Sequence, residues 1–457
     1  LTAKSKQDKQ PREDEIPSLF YVLIHDRWIS IRFLMISAKS VLSSSITSRN
    51  ASKGHAMQKP TVPFADRSIS LEEIGNFSSR LTVIMDELRD QMLAPHPRKE
   101  SPEFTSSQLG ALCGIDRAKV NYLLQKKITL PQGKYQGGSR TRMYSLSEVQ
   151  EWVRSESGIV PRPEGMPGEI VIIANFKGGS TKTTTTASLA QGLTLRGRKV
   201  LLVDLDPQAS LTELCGLYVE EDINEADTVM PFIYADETSL DYAIKTTYWS
   251  NLDIIPAATM LFGAEFIIPS TVAQDPKFQF WDILNKGLQP LRQRYDYILI
   301  DTAPSLSYLT INALMSANAM IMPLVPESLD FVSSVQFWNL FSELALNFSG
   351  LDPSKRFDFI NVLLSKVDNS SSSSAPVVRS WIERAYGEWV LPVEIPSSSA
   401  VGSEALEFST IYDVGKWSGN NRTLTRIRDP FDRLCKLIDD KFVAKWNQSA
   451  VKVKGAI

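Results

Sequence analysis

Residues 169–185 read EIVIIANFKGGSTKTTT, and few folds accommodate such a stretch. An apolar run from Ile170 to Ala174 ends in a glycine-containing loop, the loop closes on Lys182 and Thr183, and a helix-compatible segment follows. Strand, loop and helix in this order form a phosphate cradle, in which backbone N–H groups, a helix N-terminus and a lysine surround the anion. The loop fits G-x-x-x-x-K-[ST] only loosely, because Lys177 sits at its start and gives KGGSTKT a lysine at each end. Lys182 is placed to hold the β and γ phosphates of the chain's own nucleotide, and Thr183 to offer its hydroxyl to Mg²⁺. Lys177 points the other way along the loop, free to reach a phosphate bound in a facing subunit. Gly178, Gly179, Ser180, Thr181 and Thr184 complete the expected lining. A plain glycine-rich turn with two surface lysines is the competing reading, and the flanking strand and helix speak against it.

Two further apolar runs end in carboxylates: VLLVDLDPQAS in Asp204 and Asp206, YDYILIDTAPS in Asp301. Neither alternates cleanly, as expected of parallel strands covered on both faces. Ligands of such sheets sit at the carboxyl ends of the strands, where all three aspartates fall. A magnesium-phosphate centre needs carboxylates there, to hold the metal and orient water.

KGGSTKTTTTASLA, KVLLVDLDPQASLT, YDYILIDTAPSLSYLTINAL, IMPLVPESLD and the late TIYDV together resemble the ParA-type partition ATPases of the deviant Walker A (ParA/MinD) group, over roughly residues 168–440. The resemblance implies an α/β P-loop NTPase fold: a mostly parallel sheet with helices on both faces, preceded by an α-helical winged helix-turn-helix domain. It implies ATP and Mg²⁺ as cofactors. Lys177 becomes the signature lysine acting across an ATP-sandwich homodimer, and Lys182 and Thr183 the phosphate and metal ligands. Asp206 orients the hydrolytic water, Asp301 is the Walker B carboxylate, and Asp204 supports the metal shell. Ser180 and Thr181 stand where Val-Gly or Val-Ser is commonest in that group, and both are still small.

The 457 residues suffice for two or three domains. A net charge of −3 gives no global attraction to nucleic acid, so DNA binding has to come from local basic patches. Cys113, Cys215 and Cys435 are scattered and form no C-x-x-C pair, and His25, His55 and His96 are the only histidines, which argues against a Cys/His metal site and for a reducing cytoplasm. The most apolar stretch near the start, Leu19 to Ser37, is broken by His25, Asp26, Arg27 and Arg32, so neither a membrane span nor a secretory signal is expected.

Residues 1–56 are expected to be an unstructured extension, or read-through upstream of a start at Met57, with a docked helix as the alternative. In 57–100, Ile74, Phe77, Leu81, Ile84 and Leu88 form a short seam on one helix, capped by Ser68 or Ser70. Such a seam packs on the next domain or pairs with a second copy, and large ParA proteins carry a dimerisation helix there. Residues 101–160 suggest a helix-turn-helix: Thr105 or Ser106 caps the first helix, Gly114 falls at the turn, Asp116 caps the second, and a wing around Gly137-Gly138 precedes a final helix. Between Ser101 and Ser155 eight Lys/Arg face four Asp/Glu. Arg117, Lys119, Asn121, Lys126 and Lys127 are the candidate DNA contacts of the recognition helix, Arg140 and Arg142 those of the wing. Residues 161–168 read as a Pro/Gly linker and 169–457 as the ATPase domain.

Late in the chain, Arg422, Arg426 and Arg428 are candidates for sequence-independent DNA contact, a role the resemblance implies, against the reading of a solvated helix face. Phe431 to Trp446 is amphipathic, and Asp439 and Asp440 dilute its charge, so it should pack on the core rather than on a membrane. The resemblance implies ATP-dependent segregation of a plasmid or chromosome. An ATP dimer would hold bulk nucleoid DNA, a centromere-binding ParB-type protein would stimulate hydrolysis, and the winged helix would bind operator DNA and repress the protein's own operon. The location would be cytoplasmic and nucleoid-associated. A MinD-like membrane ATPase, an ATP-responsive transcriptional regulator and an iron–sulfur or metabolic member of the group are the alternatives.

Overall fold

A computed structural model describes residues 68–93, 98–135, 141–368, 370, 374–397, 409–413 and 421–455. The sequence expectations for 1–56 and for Arg140 fall outside these residues, and the Arg422 side chain is likewise outside the description. The chain divides into two units between Asn76 and Phe77.

Helix α1 (Leu71–Leu93) begins at a capping box: Glu73 N–H donates to Ser70 Oγ at 3.1 Å, and Ser70 N–H to the Glu73 carboxylate at 2.9 Å. Its seam residues Ile74, Phe77, Leu81, Ile84 and Leu88 are 54, 54, 46, 51 and 43% exposed.

The next block runs β1 (Phe104–Thr105), α2 (Ser106–Cys113), α3 (Arg117–Lys126), β2 (Lys134–Tyr135), β3 (Arg142–Tyr144) and α4 (Leu146–Glu156). Local chemistry sets the helix ends. Thr105 and Gln108 form a capping box on α2, Gly114 ends that helix at φ +68°, and Asp116 accepts the Lys119 N–H at the start of α3. The three short strands pair antiparallel in the order β1-β3-β2. Leu109, Val120, Tyr144, Val149 and Trp152 are buried beneath them.

The larger body contains β4 (Glu169–Ile173), α5 (Lys182–Leu195), β5 (Val200–Leu205), α6 (Ser210–Leu214), β6 (Lys245–Thr246), β7 (Leu252–Ile255), β8 (Tyr297–Thr302), α7 (Tyr308–Ser316), β9 (Ala319–Leu324), α8 (Ser328–Leu351), β10 (Phe359–Val367), α9 (Ala375–Tyr386), β11 (Val390–Pro396) and α10 (Asn421–Gly455), with the helix Ala264–Gln274 and several short helical turns between them. Its strands form one sheet in the order β11-β10-β9-β4-β8-β5-β7-β6, parallel except for β6 against β7. Side chains alternate across a strand, so the apolar runs feed two cores. Val171, Ile173, Leu202 and Leu299 join a cluster with α5 and α10, while Ile170, Ile172, Leu201 and Ile300 join one with α7, α8 and α9. The sheet is covered on both faces, as the unbroken apolar runs require. No helix among the described residues is long and apolar enough to cross a membrane.

Three features of the structure add to these expectations. Residues 161–168 are fastened to the sheet: Arg162 Nε lies 2.8 Å from Asp296 Oδ1, and its guanidinium also donates to the Met166, Arg292 and Gln293 carbonyls. The helix-turn-helix block is accordingly packed within the unit that starts at Phe77, and buried Gln150 on α4 donates to Ser250 O at 2.7 Å and accepts from Asn251 Nδ2 at 2.5 Å. The last helix is also longer than expected, running through Pro430, and Asp439 is not on its solvated face. Asp439 is 1% exposed, takes Arg198 by both oxygens at 2.7 and 3.1 Å, and accepts Tyr297 Oη at 2.8 Å and Arg196 at 3.2 Å. The charge serves the interior, so the helix packs on the core as expected but not because its charge is diluted.

Removing one partner of a buried ion pair strands the other. Asp439→Ala should therefore cost about 3–5 kcal/mol in urea denaturation, and Asp439→Asn, which keeps an acceptor, clearly less. Losses below about 0.5 kcal/mol in both variants would mean that packing, not charge, holds this helix.

Candidate functional site

The carboxyl end of β4 runs into the loop 174–181, and α5 begins at Lys182. Buried Asn175 shapes the entry: its Nδ2 donates to Pro323 O at 2.7 Å, and its Oδ1 accepts the Lys177 N–H at 3.1 Å. The loop reaches the helix through two left-handed residues, Gly179 at φ +74° and Thr181 at φ +70°. Thr181 occupies the N-cap position without a side-chain capping bond, and a helix start of that kind offers its first N–H groups to an anion. Gly192, further along α5, lets α10 approach, since a Cβ there would stand 2.4 Å from Cys435 Sγ.

Lys182 is 7% exposed and donates to the Lys177 carbonyl at 3.2 Å. Burial lowers its pKa, against the pull of Asp301 and Asp206. Thr183 Oγ1 donates to Asp301 Oδ2 at 2.7 Å, and Thr186 Oγ1 lies 3.4 Å from the other oxygen. Asp301 is fully buried, and desolvation pushes its pKa up to about 6 although Thr183 and Lys182 favour the charged form. Asp206, partly buried, accepts the Gln208 N–H at 2.9 Å. The structure thus gathers Lys177, Lys182, Thr183, Asp206 and Asp301 around one loop.

Asp204 departs from its expected place in a metal shell. It pairs in register with Asp301 but is wholly buried, and protein donors occupy both oxygens: Asp206 N–H at 3.1 Å on Oδ1, Thr212 N–H and Oγ1 at 2.9 and 2.8 Å on Oδ2. Burial and the neighbouring Asp301 push its pKa up to about 8. Asp204 fixes the turn that presents Asp206.

Lys177 also differs from expectation. Within the single chain its ammonium sits 3.7 Å from Asp330 Oδ2 at the start of α8, with the lysine side chain 37% exposed and the aspartate 6%. Asp330 stands in IMPLVPESLD, where nothing in the sequence marks it as the partner of Lys177. Asn175, Thr186 and Thr212 carry no sequence signal of their contacts with Pro323, Asp301 and Ala257, which lie far away in the chain.

On the helix-turn-helix block Arg117, Lys119, Asn121 and Lys126 are exposed. Lys127 lies just past the end of α3 and pairs with Glu156 at 2.6 Å. Arg142 braces β3 against β2 and the turn before it, donating to Gln132 O at 2.8 Å and lying over the Tyr135 ring at 5.0 Å. Internal partners therefore engage two of the expected DNA contacts. On α10 Arg426 is exposed, while Arg428 lies over Tyr412 at 5.2 Å and 3.8 Å from Asp432.

Residues 168–349 match a sequence family described as an AAA domain. The chromosome partitioning protein ParA of Caulobacter vibrioides (strain NA1000 / CB15N) is 30% identical over 272 residues, which are 58% of this chain and 95% of that protein. The chain belongs to the ParA family. Protein SopA of Escherichia coli (strain K12) is 28% identical over 362 residues, covering 75% of this chain and 91% of SopA. A solved structure titled Partition Protein superposes with a TM-score of 0.56 at 18% identity, over 81% of this chain and 97% of that one, and so shares the fold. The ParA family accounts for the P-loop NTPase sheet and for a cradle with two lysines.

Thr212 Oγ1 donates to Asp204 and accepts the Ala257 N–H at 2.9 Å. Thr212→Val keeps the shape but orphans the buried Ala257 N–H and takes away one of the two donors on Asp204 Oδ2, so chemical denaturation should show a loss of about 1–3 kcal/mol. A loss below about 0.5 kcal/mol, the size of an ordinary surface substitution, would show that Asp204 holds its place unaided.

Proposed function

We propose that the protein is a Mg²⁺-dependent ATPase that pairs with a second copy on ATP, holds nucleoid DNA in that state, and segregates a plasmid or chromosome with a centromere-binding ParB-type partner. The observation that carries this reading is the unit of buried Lys182 and Asp301 with half-buried Thr183 at the mouth of the β4 loop. Its donor set fits a magnesium nucleotide: a cation for phosphate, and a hydroxyl and a carboxylate, hard oxygen donors 2.7 Å apart. Thr183 and Asp301 would hold Mg²⁺, which when bound neutralises phosphate charge. Lys182 holds the phosphates of its own nucleotide, with Gly178, Gly179, Ser180, Thr181 and Thr184 lining the cradle. Asp206, set on its turn by Asp204, orients the attacking water.

Lys177 is the residue that reaches the facing subunit. To do so it leaves Asp330, so dimer formation exchanges an internal ion pair for a contact with the partner's phosphate. The exposed seam of α1 supports a second contact between copies. Exposed Arg117, Lys119, Asn121 and Lys126 support operator binding and autorepression by α3. Arg422, Arg426 and Arg428 are proposed for nucleoid DNA, Arg426 most directly because of its exposure. The MinD-like alternative is disfavoured because Leu434, Ile438, Phe442 and Trp446 of α10 are buried in the core.

Two measurements test the reading. Lys182→Ala should abolish nucleotide binding, whereas Asp206→Ala should bind ATP and dimerise but turn over at least roughly 10²-fold more slowly. Normal turnover by Asp206→Ala would remove its assigned role. Arg117→Ala with Lys119→Ala should weaken operator binding and lower its salt slope by about one per lost phosphate contact while leaving hydrolysis intact. An unchanged slope would place DNA elsewhere.

A further inference from the structure

β10 carries an irregularity beside the cradle. Leu364 pairs with Glu394 and Val367 with Pro396, three steps on β10 against two on β11, so the extra residue falls at Ser365-Lys366. Lys366 takes φ +49°, a conformation that a non-glycine residue adopts only under strain. A bulge re-aims side chains, and here both reach the loop. The Lys366 ammonium donates to Gly179 O at 2.9 Å, and buried Ser365 Oγ to Ser180 O at 3.4 Å. Two adjacent side chains thus take two successive carbonyls of the cradle.

A trans peptide is planar, with its C=O and N–H pointing in opposite directions. Fixing the Gly179 and Ser180 carbonyls toward β10 therefore fixes the Ser180 and Thr181 N–H groups away from it. With Gly179 and Thr181 in left-handed backbone, the loop has the alternation that turns successive N–H groups toward an anion. We propose that Ser365 and Lys366 are positioning residues of the phosphate cradle, clamping two loop carbonyls so that the Ser180 and Thr181 amides stay aimed at the bound phosphates. This rests on the nucleotide reading above and extends it to a strand outside the motif. Lys366 acts through the loop, and the strain at φ +49° is tolerated because the bulge delivers the ammonium to Gly179.

Fluorescent ADP and ATP analogues, titrated into folded full-length protein with Lys182→Ala as the control, test the clamp. Lys366→Met keeps a flexible chain without a donor, Lys366→Arg keeps the donor, and Lys366→Gly relieves the strain but has no donor. The Met and Gly variants should lose roughly tenfold in affinity for both nucleotides alike, the size of one charge-assisted hydrogen bond. Their saturated turnover should stay within about twofold of wild type, and Arg should recover most of the affinity. Wild-type affinity in Lys366→Met overturns the clamp, and so does wild-type affinity in Lys366→Gly. A loss confined to ATP overturns it as well, since that would make Lys366 a direct γ-phosphate ligand. Wild-type protein that binds neither analogue overturns the nucleotide reading and the clamp with it, whereas binding that Lys366→Met leaves untouched removes the clamp alone.

Discussion

Asp301 is a carboxyl group that water does not reach, and the site is arranged around that fact. Burial alone would neutralise it; the Thr183 hydroxyl and the Lys182 ammonium draw it back toward the charged form. Strand β8 lies between β4 and β5, so Asp301 faces the phosphate loop on one side and pairs in register with Asp204 on the other. Two carboxyls so close cannot both ionise easily, and protein donors on every side keep Asp204 in place as a structural group. The division of labour among the three aspartates follows: one buried at the cradle, one buried as a brace, one left partly open to solvent.

What could be read in the sequence depended on the range of the interaction. Doubly covered strands show as apolar runs because both faces are buried, and the loop between β4 and α5 shows because glycines and lysines are needed there whatever surrounds it. The ends of α2 and α3 were legible for a similar reason: Thr105, Gly114 and Asp116 act within a turn of themselves. The partner of Lys177 was not legible, nor was the bulge that sends Lys366 to Gly179, 187 positions away. Charge on a helix was the least readable feature. Nothing around Asp439 in the sequence announces Arg196 and Arg198 as its partners, and Lys127 and Arg142 carry no sign of Glu156 and Gln132.

The N-terminal block and the sheet are joined in one unit from Phe77 onward. The joints fall near the nucleotide loops. Lys99 donates to the Leu214 carbonyl at the end of α6, and Arg98 takes Asp222 by both nitrogens at 2.6 and 3.0 Å. Thr212 of the same α6 holds Asp204. The turn that presents Asp206 and the chain entering the helix-turn-helix block are therefore tied to a single short helix.

The placement of Asp439 has a consequence for the order in which the molecule is made. Strand β5 and the turn before it emerge from the ribosome early, carrying Arg196 and Arg198 into a region that is sealed only by the last helix. Until residue 439 has been added and has cleared the exit tunnel, those guanidiniums lack the carboxylate that takes both of them in the folded protein, and the face of the sheet under α10 is not yet covered by that helix. Closure of this face is thus a late event on the nascent chain, set by one carboxylate that arrives long after the strands it completes.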